Sequence, residues 1–193
     1  LKPQIEVEQR GLRSIKVKAP AELPYFMMGW KVPVVKTAEI SWEPYALEVL
    51  AAVLDGGSSA RFARQLVRGD EIAASVGAGY GLFSRLQDLF VIAGTPAKGN
   101  TVDELKLAVR EQLNELKQQV ITPQELARVK TQVVANAVYE RDSVFYQAMQ
   151  IGMLDTIGID WHLGDEYVDN VKLVTAEQVM AVAKKYFIDD SLT

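Results

Sequence analysis

The sequence has no cysteine and only one histidine, His162, among its 193 residues. Without cysteine it can form neither disulfides nor thiolate metal sites, although a cysteine-free chain can belong to any compartment. A catalytic zinc usually takes three protein ligands, most often histidines with a carboxylate, so a self-contained zinc site is not expected here. His162, in the string WHLGDEY, reads as a helix-entry or surface side chain. A Ser/His/Asp triad would also have to use it, and none of Ser58, Ser59, Ser75, Ser84 or Ser143 stands in a G-x-S-x-G elbow. Positive charge is short as well: the net charge of −4 argues against a nucleic-acid footprint. No apolar run is long enough to span a membrane.

What is present suits a globular core: 49% hydrophobic and 24% charged residues, enough for one large domain or two small ones. Residues 1–12 are polar, contain Pro3 and read as a linker; residues 13–193 read as one domain. The opening LKPQIEVEQRG and the close IDDSLT suggest a piece of something longer. RSIKVKA, residues 13–19, alternates apolar and charged side chains and predicts a half-buried strand. Residues 19–24 hold two prolines and predict a turn. Residues 25–35 predict a central strand, with Pro33 at its end because it lacks an N–H.

Residues 43–54 predict a helix with Leu47, Leu50, Ala51 and Leu54 on one stripe, closed by Gly56-Gly57. A second helix is expected over 59–69, then strands over 72–79 and 90–94 joined by 82–88. Three later helices share a capping-box start: Thr101/Glu104, Thr122/Glu125 and Thr175/Gln178. The middle one, with Pro123 in its first turn, is expected to run to about Met153, on the order of 45 Å. Gly158 and Asp160 break the chain before a short helix over 165–171, and a last helix shows Val179, Val182, Ala183 and Tyr186. Strands and helices in this order predict an α+β layer, with helices on one face of a largely antiparallel sheet.

The chain is organised around residues 54–75, LDGGSSARFARQLVRGDEIAAS. A double glycine ends one helix, a basic helix follows, and a small-residue strand begins. Glycine fits sharp turns and close backbone approach. Arginine offers a planar fork of donors suited to carbonyls and carboxylates. Arg61, Arg64 and Arg68, at i, i+3 and i+7, are expected to share a helix face. They could pair with Asp70 or Glu71, or hold a ligand, with Arg68 best placed beside the strand. AASVGAG leaves room for another backbone to lie against it. Together these suggest a surface that holds a peptide, without showing bond-breaking chemistry. Gly94–Thr101 resembles a P-loop in spacing but has Asn100 in place of the lysine, and Gly77-Ala-Gly79-Tyr-Gly81 opens no helix, so each reads as a turn or open strand. Glu140, Arg141 and Asp142 are read as ion-paired; Phe145 and Tyr146 as core aromatics.

Four stretches together resemble the pitrilysin/insulinase-type (M16) zinc peptidases. LDGGSSARFARQLVRG is similar to that family's L-G-G-G-x-S-S-R-L-x-x-x-L-R-E, and YALEVLAAVL precedes it. TPQELARVKTQVVAN resembles T-x-E-E-L-x-x-x-K. VTAEQVMAVAKKYF resembles V-T-x-E-D-V-x-x-V-A-x-K-Y. The resemblance covers about Gly11 to Phe187 and implies the carboxy-terminal domain, which has no metal and no catalytic residue of its own. The zinc, its H-x-x-E-H motif and the general base would sit on an upstream partner domain absent from this chain. This domain would hold the peptide substrate by adding it to its sheet edge.

By the same resemblance, Arg68 falls on a substrate-holding arginine, and Gly56 and Gly57 on a glycine-rich turn that contacts substrate in processing-peptidase relatives. The family's tyrosine, seven residues after the arginine, falls on Ser75, or on Ala74 if one residue is skipped. Tyr80 is the nearest tyrosine, and alternation puts it on the other strand face. The fragment alone is expected to be inactive, and similar bacterial proteins suggest a periplasmic location. The competing reading is a non-catalytic peptide-binding or scaffold subunit on the same fold; a nucleotide-binding domain would rest only on Gly94–Thr101.

Overall fold

The structure, a computed structural model, describes residues 8–20 and 22–193. A three-stranded antiparallel sheet is ordered β1-β3-β2, from β1 (Phe26–Val32), β2 (Ala73–Gly79) and β3 (Asp88–Pro96). Among the described residues six α-helices cover it: α1 (Glu43–Asp55), α2 (Val102–Gln118), α3 (Pro123–Arg141), α4 (Val144–Ile157), α5 (Leu163–Leu173) and α6 (Ala176–Tyr186). This is the α+β arrangement that the order of elements predicts.

Alternate side chains decide which face of the sheet is covered. Phe26, Met28, Trp30 and Val32 of β1 are buried, as are Phe90 and Ile92 of β3, while Met27 and Leu89 are exposed. Phe187, just past α6, lies against both strands, its ring 4.9 Å from Trp30 and 4.9 Å from Phe90. Such pairs add about 1 kcal/mol beyond their buried area.

α1 lies at the centre of the helical layer. Ala46, Leu47, Val49, Leu50, Val53 and Leu54 are fully buried. Pro44 sits in its first turn, where no intrahelical N–H is required. Glu43 is buried and clamps α1 to α6: its carboxylate accepts from Lys185 Nζ at 2.5 Å and from the Tyr186 hydroxyl at 2.6 Å.

Several expectations are corrected. Residues 13–19 form no strand; Ile15 is 82% and Val17 81% exposed. A strand needs a neighbour, and this segment's contact with one stops at Arg13 N–H, which donates to Leu192 O at 2.9 Å. The expected linker falls partly outside the described residues. The central strand is β3, not β1. β1's outer side meets the chain's last residues, Gly29 and Thr193 exchanging bonds of 2.9 and 3.0 Å.

The expected 45 Å helix is two helices. Ser143 caps α4, its hydroxyl accepting from Tyr146 N–H at 3.3 Å, and this hydroxyl-for-carbonyl exchange ends α3 at Arg141. Phe145 is exposed and no core aromatic. Reciprocal capping boxes form at Thr101/Glu104 and Thr175/Gln178. Thr122 caps α3, but Glu125 turns away from it to an arginine.

Truncating Glu43 leaves the half-buried Tyr186 hydroxyl without its acceptor and the half-exposed Lys185 without its partner, and opens space in a buried place. Glu43→Ala should cost on the order of 2–3 kcal/mol, read as a lower denaturation midpoint with unchanged m-value in urea.

Candidate functional site

The site is built where α1 ends. A Cβ on Gly56 would stand 2.3 Å from Ala52 O, so the chain can turn there only without a side chain. Gly57 has φ +96°, a region L residues rarely adopt. A π-helix, Phe62–Val67, follows, pinned by the buried Phe62 and Leu66.

The π-helix explains why the arginines part. Its hydrogen bonds reach back five residues: Arg68 N–H to Ala63 O at 3.2 Å and Asp70 N–H to Gln65 O at 2.7 Å. The wider turn puts Arg61 and Arg68 out of α-helical register, so they do not share a face. Arg61 turns inward to α3, where Nε and Nη2 each donate to Glu125 at 2.9 Å, with Glu115 3.6 Å away. This forked bond holds Glu125's carboxyl below its ordinary pKa. Arg68 turns outward, and its guanidinium donates to the carbonyl of Ser58 in the glycine turn. Among the described residues neither pairs with Asp70 or Glu71.

β2 runs alongside. The register pairs Ser75 with Thr95, Gly77 with Ala93 and Gly79 with Val91 on the exposed sheet face; Val76 and Ala78 share the buried face with Gly94 and Ile92. Alternation carries Tyr80 to the buried side, as expected, where its hydroxyl donates to Pro33 O at 2.6 Å. Thus Arg68, Gly56 and Gly57 come together. Ser75, exposed on the sheet's open face, makes no hydrogen bond to Arg68. No strand among the described residues pairs with β2's other side. There Ala78 N–H points away from β3 and donates to Asp55 Oδ2 at 3.2 Å. Burial raises the Asp55 pKa, and the bond from Ala78 partly offsets this.

Beyond the end of β2 a cavity of about 650 Å³ opens between α1, α3, α4 and α5. Glu48 of α1 stands in its wall, its Oε1 accepting from the Tyr167 hydroxyl at 3.4 Å. Burial pushes the Glu48 carboxyl up to about 7; the Tyr167 bond opposes this and Glu140 adds to it. Burial likewise raises the Tyr80 and Tyr167 phenols. Sequence reasoning missed Glu48, Asp55 and the cavity. One signal was available: Glu48 is the lone acid inside the apolar run YALEVLAAVL.

His162 is exposed and pairs with Asp160 at 2.7 Å, and no group of three or more His, Asp or Glu among the described residues is placed to hold a metal. The residues present do not fit zinc. Around Gly94–Thr101 three backbone donors are already committed: Ala97 to Ile72 O, Asn100 to Ala97 O and Thr101 to Glu104.

An antiparallel sheet lies under a buried helix, with a glycine turn and an outward arginine beside it, and the described residues hold no group placed to bind a metal. Residues 1–133 match the sequence profile of the peptidase M16 inactive domain. The chain belongs to that family, which is one of zinc proteases. A protease from Helicobacter pylori superposes with a TM-score of 0.88 at 22% identity, over 97% of this chain and 44% of that one. The inactive peptidase domain of a presumed zinc protease from Bordetella parapertussis gives 0.77 at 16% identity, over 93% and 94%. The M16 inactive domain from Pseudomonas fluorescens gives 0.72 at 19%, over 90% and 40%. Likeness at these identities shows the fold. The chain therefore spans less than half of the Helicobacter and Pseudomonas chains. Among curated proteins no sequence matches.

Glu48 gives a pH test. Its native pKa lies above its ordinary value of 4.5, so the native state holds the proton more tightly than the unfolded chain. The stabilisation is complete below about pH 4.5 and is lost as pH rises through 7. Glu48→Gln should therefore stabilise the protein at pH 8 by on the order of 2–3 kcal/mol, the gain shrinking towards zero at pH 4 in urea melts.

Proposed function

We propose that this chain is the substrate-holding half of a zinc-dependent peptidase, with zinc and the general base supplied by a partner domain. One observation carries the reading: among the described residues no strand pairs with the outer side of β2, and the glycine turn and the exposed Arg68 lie near it. An extended peptide added there would pair its backbone with β2. Arg68 would exchange its single bond to Ser58 O for a substrate carbonyl or carboxylate, which its planar fork can bind with two donors. Asp55 would release the Ala78 N–H to the incoming strand.

A second reading, a peptide-binding or scaffold subunit without catalytic partnership, is favoured by Ser75. It stands where the resemblance calls for a tyrosine, and its hydroxyl touches nothing that would replace one.

The test is cleavage and binding of an extended peptide by the intact protein together with its zinc-bearing partner. Arg68→Ala should lower kcat/KM about ten-fold or more, the loss expected for one charge-assisted contact. Equal cleavage by the mutant removes Arg68 from the mechanism; binding without any cleavage favours the scaffold reading. Arg61→Ala should behave differently, lowering stability by about 2 kcal/mol because it leaves Glu125 half-buried without its fork.

A further inference from the structure

Three features of the cavity beside β2 have no place in the function above. Its rim includes Gly56, Ala78 and Gly79, so a chain lying along β2 passes its mouth. Its walls are long and soft: Met149 and Met153 of α4, with the rings of Tyr80 and Phe83. Glu48 Oε2 has no hydrogen-bond donor among the described residues, although Oε1 has Tyr167.

We propose that this cavity is a side-chain pocket for a cationic group, the lysine or arginine side chain of a peptide held along β2. The inference rests on the peptide-holding reading for its occupant, not for its chemistry.

Charge selects the occupant. Among the described residues the charged side chains lining the cavity are Glu48, Asp55, Glu140 and Arg141. The one cation, Arg141, is committed to Gly164 O at 2.8 Å and Asp165 at 3.5 Å. An anionic side chain would meet the carboxylates of Asp55 and Glu140 and the acidic group of Glu48. A purely apolar one would seal Glu48 away from water with one oxygen unpaired, a costly arrangement. A cation answers both: it gives Oε2 a donor, and the wall it enters includes the rings of Tyr80 and Phe83. Methionine thioethers adapt to alkyl stems of different length. The volume, about 650 Å³, is ample for either basic side chain.

The test uses the intact protein carrying ¹³C-methyl methionine. Benzylamine should shift the Met149 and Met153 methyl signals saturably, with Met27 and Met28 unmoved as internal controls of the fold. Benzyl alcohol, the same size without charge, should bind about ten-fold more weakly, and Glu48→Gln should erase the difference. No saturable shift with benzylamine, equal affinity for the alcohol, or a preference that survives Glu48→Gln overturns the pocket. A second arm compares extended peptides with lysine or norleucine at one position. Peptides that bind without preferring lysine overturn the pocket and leave the strand-edge reading standing. Amine binding with no peptide binding overturns the strand-edge reading and leaves the cationic pocket.

Discussion

The fold and its candidate site depend on the near-complete burial of one thirteen-residue helix, α1. It is packed between the sheet and three other helices, and six of its side chains are wholly inaccessible. A helix so enclosed can carry carboxylates only where the surroundings have been arranged for them. It carries three, each handled differently. Glu43 at its start is neutralised by Lys185 and Tyr186. Glu48 in its middle has one weak partner and is held up near neutrality. Asp55 at its end reaches the strand beside it. The first is structural, and the other two open onto surfaces a ligand can reach. The same helix fixes the glycine turn, because that turn is its carboxy-terminal stop.

The fold was legible in the sequence wherever periodicity and caps agreed. The apolar stripe of α1, the double glycine, the small-residue strand and the capping boxes of α2 and α6 all stand where pattern reading puts them. Failures came where two local signals competed. Apolar spacing continued through Ser143, but its hydroxyl captured a backbone N–H and ended the helix there. Thr122 and Glu125 spell a capping box, yet Glu125 goes to Arg61, because a forked bond to a guanidinium outweighs a local bond to a backbone N–H. Alternation in 13–19 described a strand for which the described residues provide no neighbour.

Of the residues the sequence singles out, three stand together and Ser75 stands apart on the open sheet face. Arg68, Gly56 and Gly57 do converge, since the arginine's fork lands on the carbonyl next to the glycines. Spacing on an ideal helix put Arg61 on the same face, and the π-helix undid that. One wider turn sends one arginine inward to hold α3 and its neighbour outward to solvent. Sequence spacing has no access to this, because the choice between a turn closed over four residues and one closed over five is made by packing of Phe62 and Leu66. The cavity escaped for a similar reason. It exists because α4 turns beside α3 instead of extending it, and its wall is drawn from four helices far apart in sequence.

The bond from Ala78 N–H to Asp55 has a further consequence. An edge strand of small residues is a template on which two copies of the same protein can zip together and begin to aggregate. For that to happen here, both copies would have to give up this bond, and two carboxylates would be driven into one narrow seam. On the peptide-holding reading proposed above, a substrate strand would displace only one. The asymmetry would then leave the strand open to guests while discouraging the chain from becoming its own.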